Sequence, residues 1–118
     1  MEQYVIRESY TLREAMESFE ENHERVILVE NEKGKLIGTV SQGDIIRALG
    51  AGINLYAQVK QIVKPSFLYL RERNLEKAYE IFRLKKVTLI PVVDDEARLV
   101  SIITLEHIFS YLEERRHA

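Results

Sequence analysis

The chain contains no cysteine among its 118 residues. That excludes disulfides, thiolate nucleophiles and zinc sites built on sulfur. Long apolar runs are also missing, and no stretch approaches the roughly 20 residues that a helical membrane span requires. Met1-Glu2-Gln3 provides neither the basic n-region nor the apolar h-region of a secretory signal. These absences together point to a cytoplasmic location. There is no excess of positive charge: 17 Lys and Arg stand against 19 Asp and Glu, for a net charge of −2, and the cations are scattered. Backbone recognition of nucleic acid depends on clustered cations, so nucleic acid is not the expected partner, whereas a small anion held by one or two local cations fits. His23, His107 and His117 lack the spacing of metal ligands, and no nucleophile has a base partner nearby in sequence, so neither a metal site nor a catalytic residue is assigned.

What is present is ordinary in composition and unusual in order. Apolar residues make up 46% and charged residues 31%, as in a soluble globular protein, and the length suits one compact domain or two fused halves sharing a core. The chain also matches itself. A gapless shift of 63 residues lays Leu12, Ala15, Glu17 and Phe19 on identical residues, and then Ile27, Val29, Leu36, Ile45 and Leu49. These are nine identities in the 46 pairs from Tyr4/Phe67 to Leu49/Leu112, where chance gives about three. The period is too long for a solenoid repeat, so each copy reads as a small α/β subdomain.

The pattern predicts the same elements twice. In copy 1, Tyr4–Ile6 is an extended lead-in. Thr11 caps a helix whose apolar stripe is Leu12, Ala15, Met16 and Phe19, a spacing that reads as core. Strands follow at 26–29 and 36–40 around a turn at 31–34, and Ser41 opens a helix carrying Ile45, Ile46 and Leu49. In copy 2 the lead-in is 67–70 and Asn74 is the cap. The helical stripe is Leu75, Ala78, Tyr79 and Phe82, with strands at 88–93 and 98–103. A final helix from Thr104 places Leu105, Ile108, Phe109 and Leu112 on one face. Residues 50–65 form a connector with room for one helical turn.

Several of these residues carry a family resemblance. Arg25-Val26-Ile27-Leu28-Val29, Gly34, the run Gly38-Thr39-Val40-Ser41-Gln42-Gly43-Asp44-Ile45 and, in copy 2, Leu89-Ile90-Pro91-Val92-Val93-Asp94 resemble the strand, turn and strand-to-helix motifs of a tandem pair of cystathionine-β-synthase (CBS) domains, or Bateman module. The resemblance implies an α/β fold of two pseudo-symmetric subdomains, each a small sheet packed on two helices, with motif 1 at 1–55 and motif 2 at 56–118. It implies an energy-sensing regulatory module, not an enzyme. Such a module binds an adenine nucleotide (AMP, ADP or ATP) between its copies, needs no cofactor, forms homodimers and is fused to or associated with an effector enzyme or transporter.

Carried residue by residue, the resemblance puts the ribose-binding carboxylate on Asp44, phosphate contacts on Ser41 and Arg25, and further nucleotide contacts on Gly38 and Thr39. It puts the base cradle on Tyr56, Lys60 and Val87. The residues themselves leave a second reading open, because Ser41-x-x-Asp44 is close to a plain capping box, and Tyr56 and Val87 also suit core packing. Gly43 counts against a pure cap, since glycine in a first helical turn costs up to about 1 kcal/mol relative to alanine. Copy 2 acts as an internal control: Asp44 becomes His107, Arg25 becomes Thr88, Gly38 becomes Ser101 and Ser41 becomes Thr104. One site per chain is therefore expected, on the Arg25/Asp44 side. The alternatives are a structural dimerisation module without nucleotide and a module for another adenosyl ligand such as S-adenosylmethionine.

Overall fold

The computed structural model describes residues 2–116, so His117 lies outside the described residues. The backbone divides into two compact units, Met1–Phe67 and Leu68–Ala118. In the first unit a single 3-10 turn, Glu2–Tyr4, leads into β1 (Val5–Arg7). Then come α1 (Leu12–Asn22), β2 (Val26–Glu30), β3 (Leu36–Ser41), α2 (Gln42–Gly50) and a 3-10 turn at Val59–Gln61. The second unit holds α3 (Leu75–Leu84), β4 (Leu89–Val93), β5 (Leu99–Thr104) and α4 (Leu105–Arg116). The fold is thus mixed α/β, with a small sheet and two helices in each unit.

Local chemistry sets the helix boundaries. Thr11 Oγ1 accepts the Glu14 amide at 3.1 Å while the Glu14 carboxylate accepts the Thr11 amide at 3.0 Å, a reciprocal cap that satisfies two donors a helix start leaves orphaned. Helix α1 stops at His23, whose left-handed φ of 58° turns the chain while its amide still reaches the Phe19 carbonyl. Asn74 caps α3 through the Lys77 amide.

In the first unit β1 pairs parallel to β2, and β2 pairs antiparallel to β3. Leu12, Ala15 and Phe19 of α1 and Ile45 and Ala48 of α2 close over Ile27, Val29 and Val40 of the sheet, with Val59 of the connector in the same core. Burial of each large aliphatic side chain contributes about 1.5–3 kcal/mol. Met16 departs from the expected core stripe. It is 43% exposed and lines an open groove of about 360 Å³ with Phe19, Ile45, Ile46 and Leu49, because its helical angle points to the rim between α1 and α2 instead of toward the sheet. The connector belongs physically to this unit: Ala57 and Tyr10 carbonyls accept the Leu12 and Val59 amides, and the Lys64 backbone pairs with Thr39.

The second unit repeats the hairpin pair for pair. Val26↔Ser41, Ile27↔Val40, Leu28↔Thr39, Val29↔Gly38 and Glu30↔Leu36 in β2/β3 become, at a shift of 63, the five pairs of β4/β5, and the irregularity at Val29/Glu30 recurs at Val92/Val93. Ile90, Val92, Ile103 and Ile108 form the core with Ala78 and Leu70. Two expectations change here. The lead-in at 67–70 contributes only a parallel bridge from Leu70 to Val92 instead of a strand. In α4, Ile108 is buried but Phe109 is 64% exposed, since two adjacent helical residues differ by about 100° and only one faces this two-stranded sheet.

The two hairpin turns also match. Asn31 Oδ1 accepts the Lys33 and Lys35 amides, and Asp94 Oδ1 accepts those of Glu96 and Arg98. Gly34 takes φ 78° in the first turn, and its counterpart Ala97 is held at φ 64° in the second. The left-handed region costs a residue with a Cβ about 1–2 kcal/mol, which glycine avoids at the expense of some unfolded-state entropy. Ala97→Gly is therefore expected to stabilise the protein by about 0.5–1 kcal/mol, readable as a higher urea midpoint at unchanged slope.

Candidate ligand site

The features that single out Asp44 in the sequence converge at the junction of β3 and α2. Ser41 ends β3 in extended conformation and caps α2. Its hydroxyl accepts the Asp44 amide at 3.1 Å, and its own amide donates to Asp44 Oδ2 at 2.8 Å. The Gln42 amide donates to the Arg25 carbonyl at 3.0 Å, which anchors the start of α2 beside the start of β2 and sets Arg25 there with an exposed side chain.

The Asp44 side chain is only 6% exposed, yet it carries two cations: Arg47 Nη2 lies 2.6 Å and Lys64 Nζ 3.0 Å from the same oxygen, Oδ1. Burial disfavours the ionised carboxyl, but the Ser41 amide, Lys64, the Ser41 side chain and Arg47 together outweigh it, so the pKa of Asp44 falls below the ordinary aspartate range. Neither Arg47 nor Lys64 was among the expected site residues. Arg47 is one helical turn beyond Asp44, a spacing readable in the sequence. Lys64 arrives through the fold, from a connector whose sequence carries no signal of the contact.

Gly38 explains how Lys64 gets there. A Cβ at Gly38 would lie 2.8 Å from both the Lys64 carbonyl carbon and Val63 Cγ2 and would run into the Lys64 carbonyl oxygen, so only glycine lets the connector pair with β3. The pair consists of Thr39 N–H to Lys64 O at 3.0 Å and Lys64 N–H to Thr39 O at 2.9 Å. Gly43 differs, since a Cβ there would meet only the flexible end of Arg47 at 3.2 Å, with Ser41 Oγ at 3.7 Å. No packing against backbone accounts for a glycine at that position.

The base-cradle residues are more dispersed. Tyr56 is 63% exposed and its hydroxyl accepts a hydrogen bond from Arg13 Nη1 at 3.1 Å, so core packing, the other role the sequence allowed it, does not apply. Lys60 is exposed on the 3-10 turn of the connector. Val87 belongs to the second unit and packs half-buried against that unit's core.

At the second unit's equivalent junction the Thr104 amide donates to His107 Nδ1 at 3.0 Å, so an imidazole nitrogen does there what the Asp44 carboxylate does in the first. Arg25's counterpart is Thr88, but a cation is present from another position. Arg73 Nη1 donates to Ser101 Oγ at 2.8 Å and to the Ile102 carbonyl at 3.0 Å. Ile102 corresponds to Thr39, so a guanidinium occupies in this unit the place that the Lys64 peptide N–H takes in the first.

The model of the CBS domain family matches residues 2–51 and 59–114. The chain belongs to the CBS domain family. It is 34% identical over 88 residues to the magnesium transporter MgtE of Thermus thermophilus, a match that covers 74% of this chain and 18% of the transporter. The chain thus spans less than a fifth of that relative's length. A crystal structure of a CBS domain pair/ACT domain protein from Thermotoga maritima superposes with a TM-score of 0.78 at 26% identity, covering 94% of this chain and 88% of that one. The cytosolic domain of the Mg2+ channel MgtE, crystallised in complex with ATP, superposes with a TM-score of 0.73 at 28% identity, covering 92% and 45%. Tandem CBS motifs therefore account for the duplication. Among the described residues no helix is long and apolar enough to cross a membrane.

The depressed pKa of Asp44 makes stability depend on acid. The unfolded chain takes up the proton at about pH 4 and the folded protein only below that. The contribution of ionised Asp44 is thus complete above about pH 4 and is lost as pH falls through the folded value. Asp44→Asn is expected to flatten the unfolding free energy against pH below about 5 while lowering it at pH 7, as measured by denaturant titration from neutral to acid pH.

Proposed function

We propose that this CBS pair is a regulatory module that senses an adenine nucleotide at the Asp44 junction, with one ligand per chain. The observation that carries the reading is Gly43. It lies inside a first helical turn, where glycine costs stability, and the nearest atoms to its missing Cβ are the Arg47 guanidinium at 3.2 Å and Ser41 Oγ at 3.7 Å, with no backbone among them. Close approach of a ligand to the backbone gives that glycine a use. The MgtE cytosolic domain crystallised with ATP supports a nucleotide as the ligand class. In this reading Asp44 accepts the ribose hydroxyls, while Ser41, Arg25 and the Gly43 amide in the first turn of α2 face the phosphate. Gly38 and Thr39 hold the floor, and Tyr56 and Lys60 supply the surroundings of the base. Ligand binding shifts the population of module conformations, and a fused or associated enzyme or transporter in the cytoplasm reads that shift.

Calorimetry with AMP, ADP and ATP tests the site. The wild type is expected to bind one nucleotide per chain, and Asp44→Ala to abolish binding while retaining its helical circular dichroism. A folded Asp44→Ala variant with unchanged affinity would leave Asp44 as a helix cap only, which is the reading the Ser41–Asp44 capping box favours. Two equivalent sites per chain would defeat the asymmetry.

Self-association belongs to the same proposal. Met16, Ile45, Ile46 and Leu49 leave an apolar groove open on the first unit, and Phe109 and Leu84 stand exposed on the second. A second copy covers these residues in an isologous dimer. Light scattering at micromolar concentration is expected to give twice the 13.8 kDa of one chain, and Ile46→Glu to return it to monomer. A wild-type mass of one chain at every concentration would overturn the dimer.

A further inference from the structure

The nucleotide reading leaves open how a buried carboxylate already holding two cations takes a ribose. A carboxylate offers about four acceptor directions. On Asp44 three are filled: the Ser41 amide on Oδ2, and Arg47 and Lys64 together on Oδ1. A vicinal diol brings two donors, so a ribose seated on this group must move at least one cation aside. The cations are suited to moving. Their side chains are 67% and 61% exposed, against 6% for the carboxylate, so they form a loose cover over a fixed anion. Neither can go far, because Arg47 sits on α2 one turn beyond Asp44 and the Lys64 backbone is pinned to Thr39 by two hydrogen bonds. A displaced cation therefore remains at the rim of the site without its anion.

We propose that Arg47 and Lys64 form a displaceable cation pair that passes from Asp44 to the phosphate of the incoming ligand, and thereby makes the site select a nucleotide over its nucleoside. The inference rests on the nucleotide reading of Asp44 and assigns the charge discrimination within it. A nucleoside displaces a cation and offers nothing in exchange. A nucleotide brings a dianion along with the diol, so each broken ion pair is replaced by a charge-assisted contact of the same kind. With two cations against one carboxylate, the cluster carries one unit of positive charge before the ligand arrives. Arg25 and Lys60 lie outside this exchange, since neither contacts Asp44.

The test is calorimetric titration of AMP and of adenosine into wild type, Lys64→Met, Arg47→Gln and Lys64→Arg, with Lys33→Met in the β2–β3 turn as a control for net charge. The expected result is that Lys64→Met and Arg47→Gln each weaken AMP about tenfold while adenosine holds its affinity or gains. Lys64→Arg and Lys33→Met should keep the wild-type AMP/adenosine ratio. An unchanged ratio in both Lys64→Met and Arg47→Gln, in a wild type that binds AMP, overturns this inference and leaves the nucleotide reading standing. An equal fall in Lys33→Met overturns it too, by attributing the preference to net charge. Failure of the wild type to bind AMP at all overturns the nucleotide reading, and this inference with it.

Discussion

The candidate site depends on one missing side chain. At Gly38 the connector backbone comes so close to β3 that a methyl group would strike the Lys64 peptide. That approach lets Thr39 and Lys64 exchange two backbone hydrogen bonds, which satisfy the outer edge of β3 and hold the connector in place. Once Lys64 is fixed there, its ammonium reaches Asp44 and adds to the Ser41 amide, and these together with Arg47 hold the acid's ionisation below its normal range despite burial. Backbone packing thus sets the electrostatics of a group some distance away in sequence. The same position in the second unit is Ser101, and there the strand edge is met by Arg73 instead.

The two halves show how a duplicated scaffold diverges. The hairpin register, its irregularity and its turn hydrogen bonds are kept, because a slip by one residue would turn every buried side chain of the strand outward. The residues at the helix start are free to change provided something accepts the orphan amide. A carboxylate and an imidazole both do so, at 2.8 and 3.0 Å. The carboxylate also draws in two cations. The capping role is therefore shared by both halves, and the ionic cluster belongs to one.

Much of this was legible in the sequence because it is local. Thr11, Ser41 and Asn74 announce their helices through short-range caps, the alternation and length of the strands place the hairpins, and the 63-residue self-match foretells that they recur. Met16 and Phe109 escaped the reading, since periodicity defines a helical stripe but not which edge of it a narrow sheet covers. Lys64 and Arg73 escaped for a different reason. Their partners lie 20 or more residues away, and long flexible cations reach them by routes that no short spacing encodes. Ser41 and Asp44 were identified as a pair, but the occupancy of the carboxylate became apparent only in three dimensions.

The repeated hairpin has a consequence for how the chain finds its structure. Strand β5 is the counterpart of β3 and pairs with β4 in the register that β3 keeps with β2, so β5 is a plausible wrong partner for β2. The turns at Asn31–Gly34 and Asp94–Ala97 bias the choice toward the local pair, since mispairing β2 with β5 would enclose roughly seventy residues, about four doublings of loop length at some 0.6 kcal/mol each. Local hairpins also close in microseconds, before distant strands meet. The shortness of the turns, more than any difference between the two cores, keeps the copies from exchanging strands as they fold.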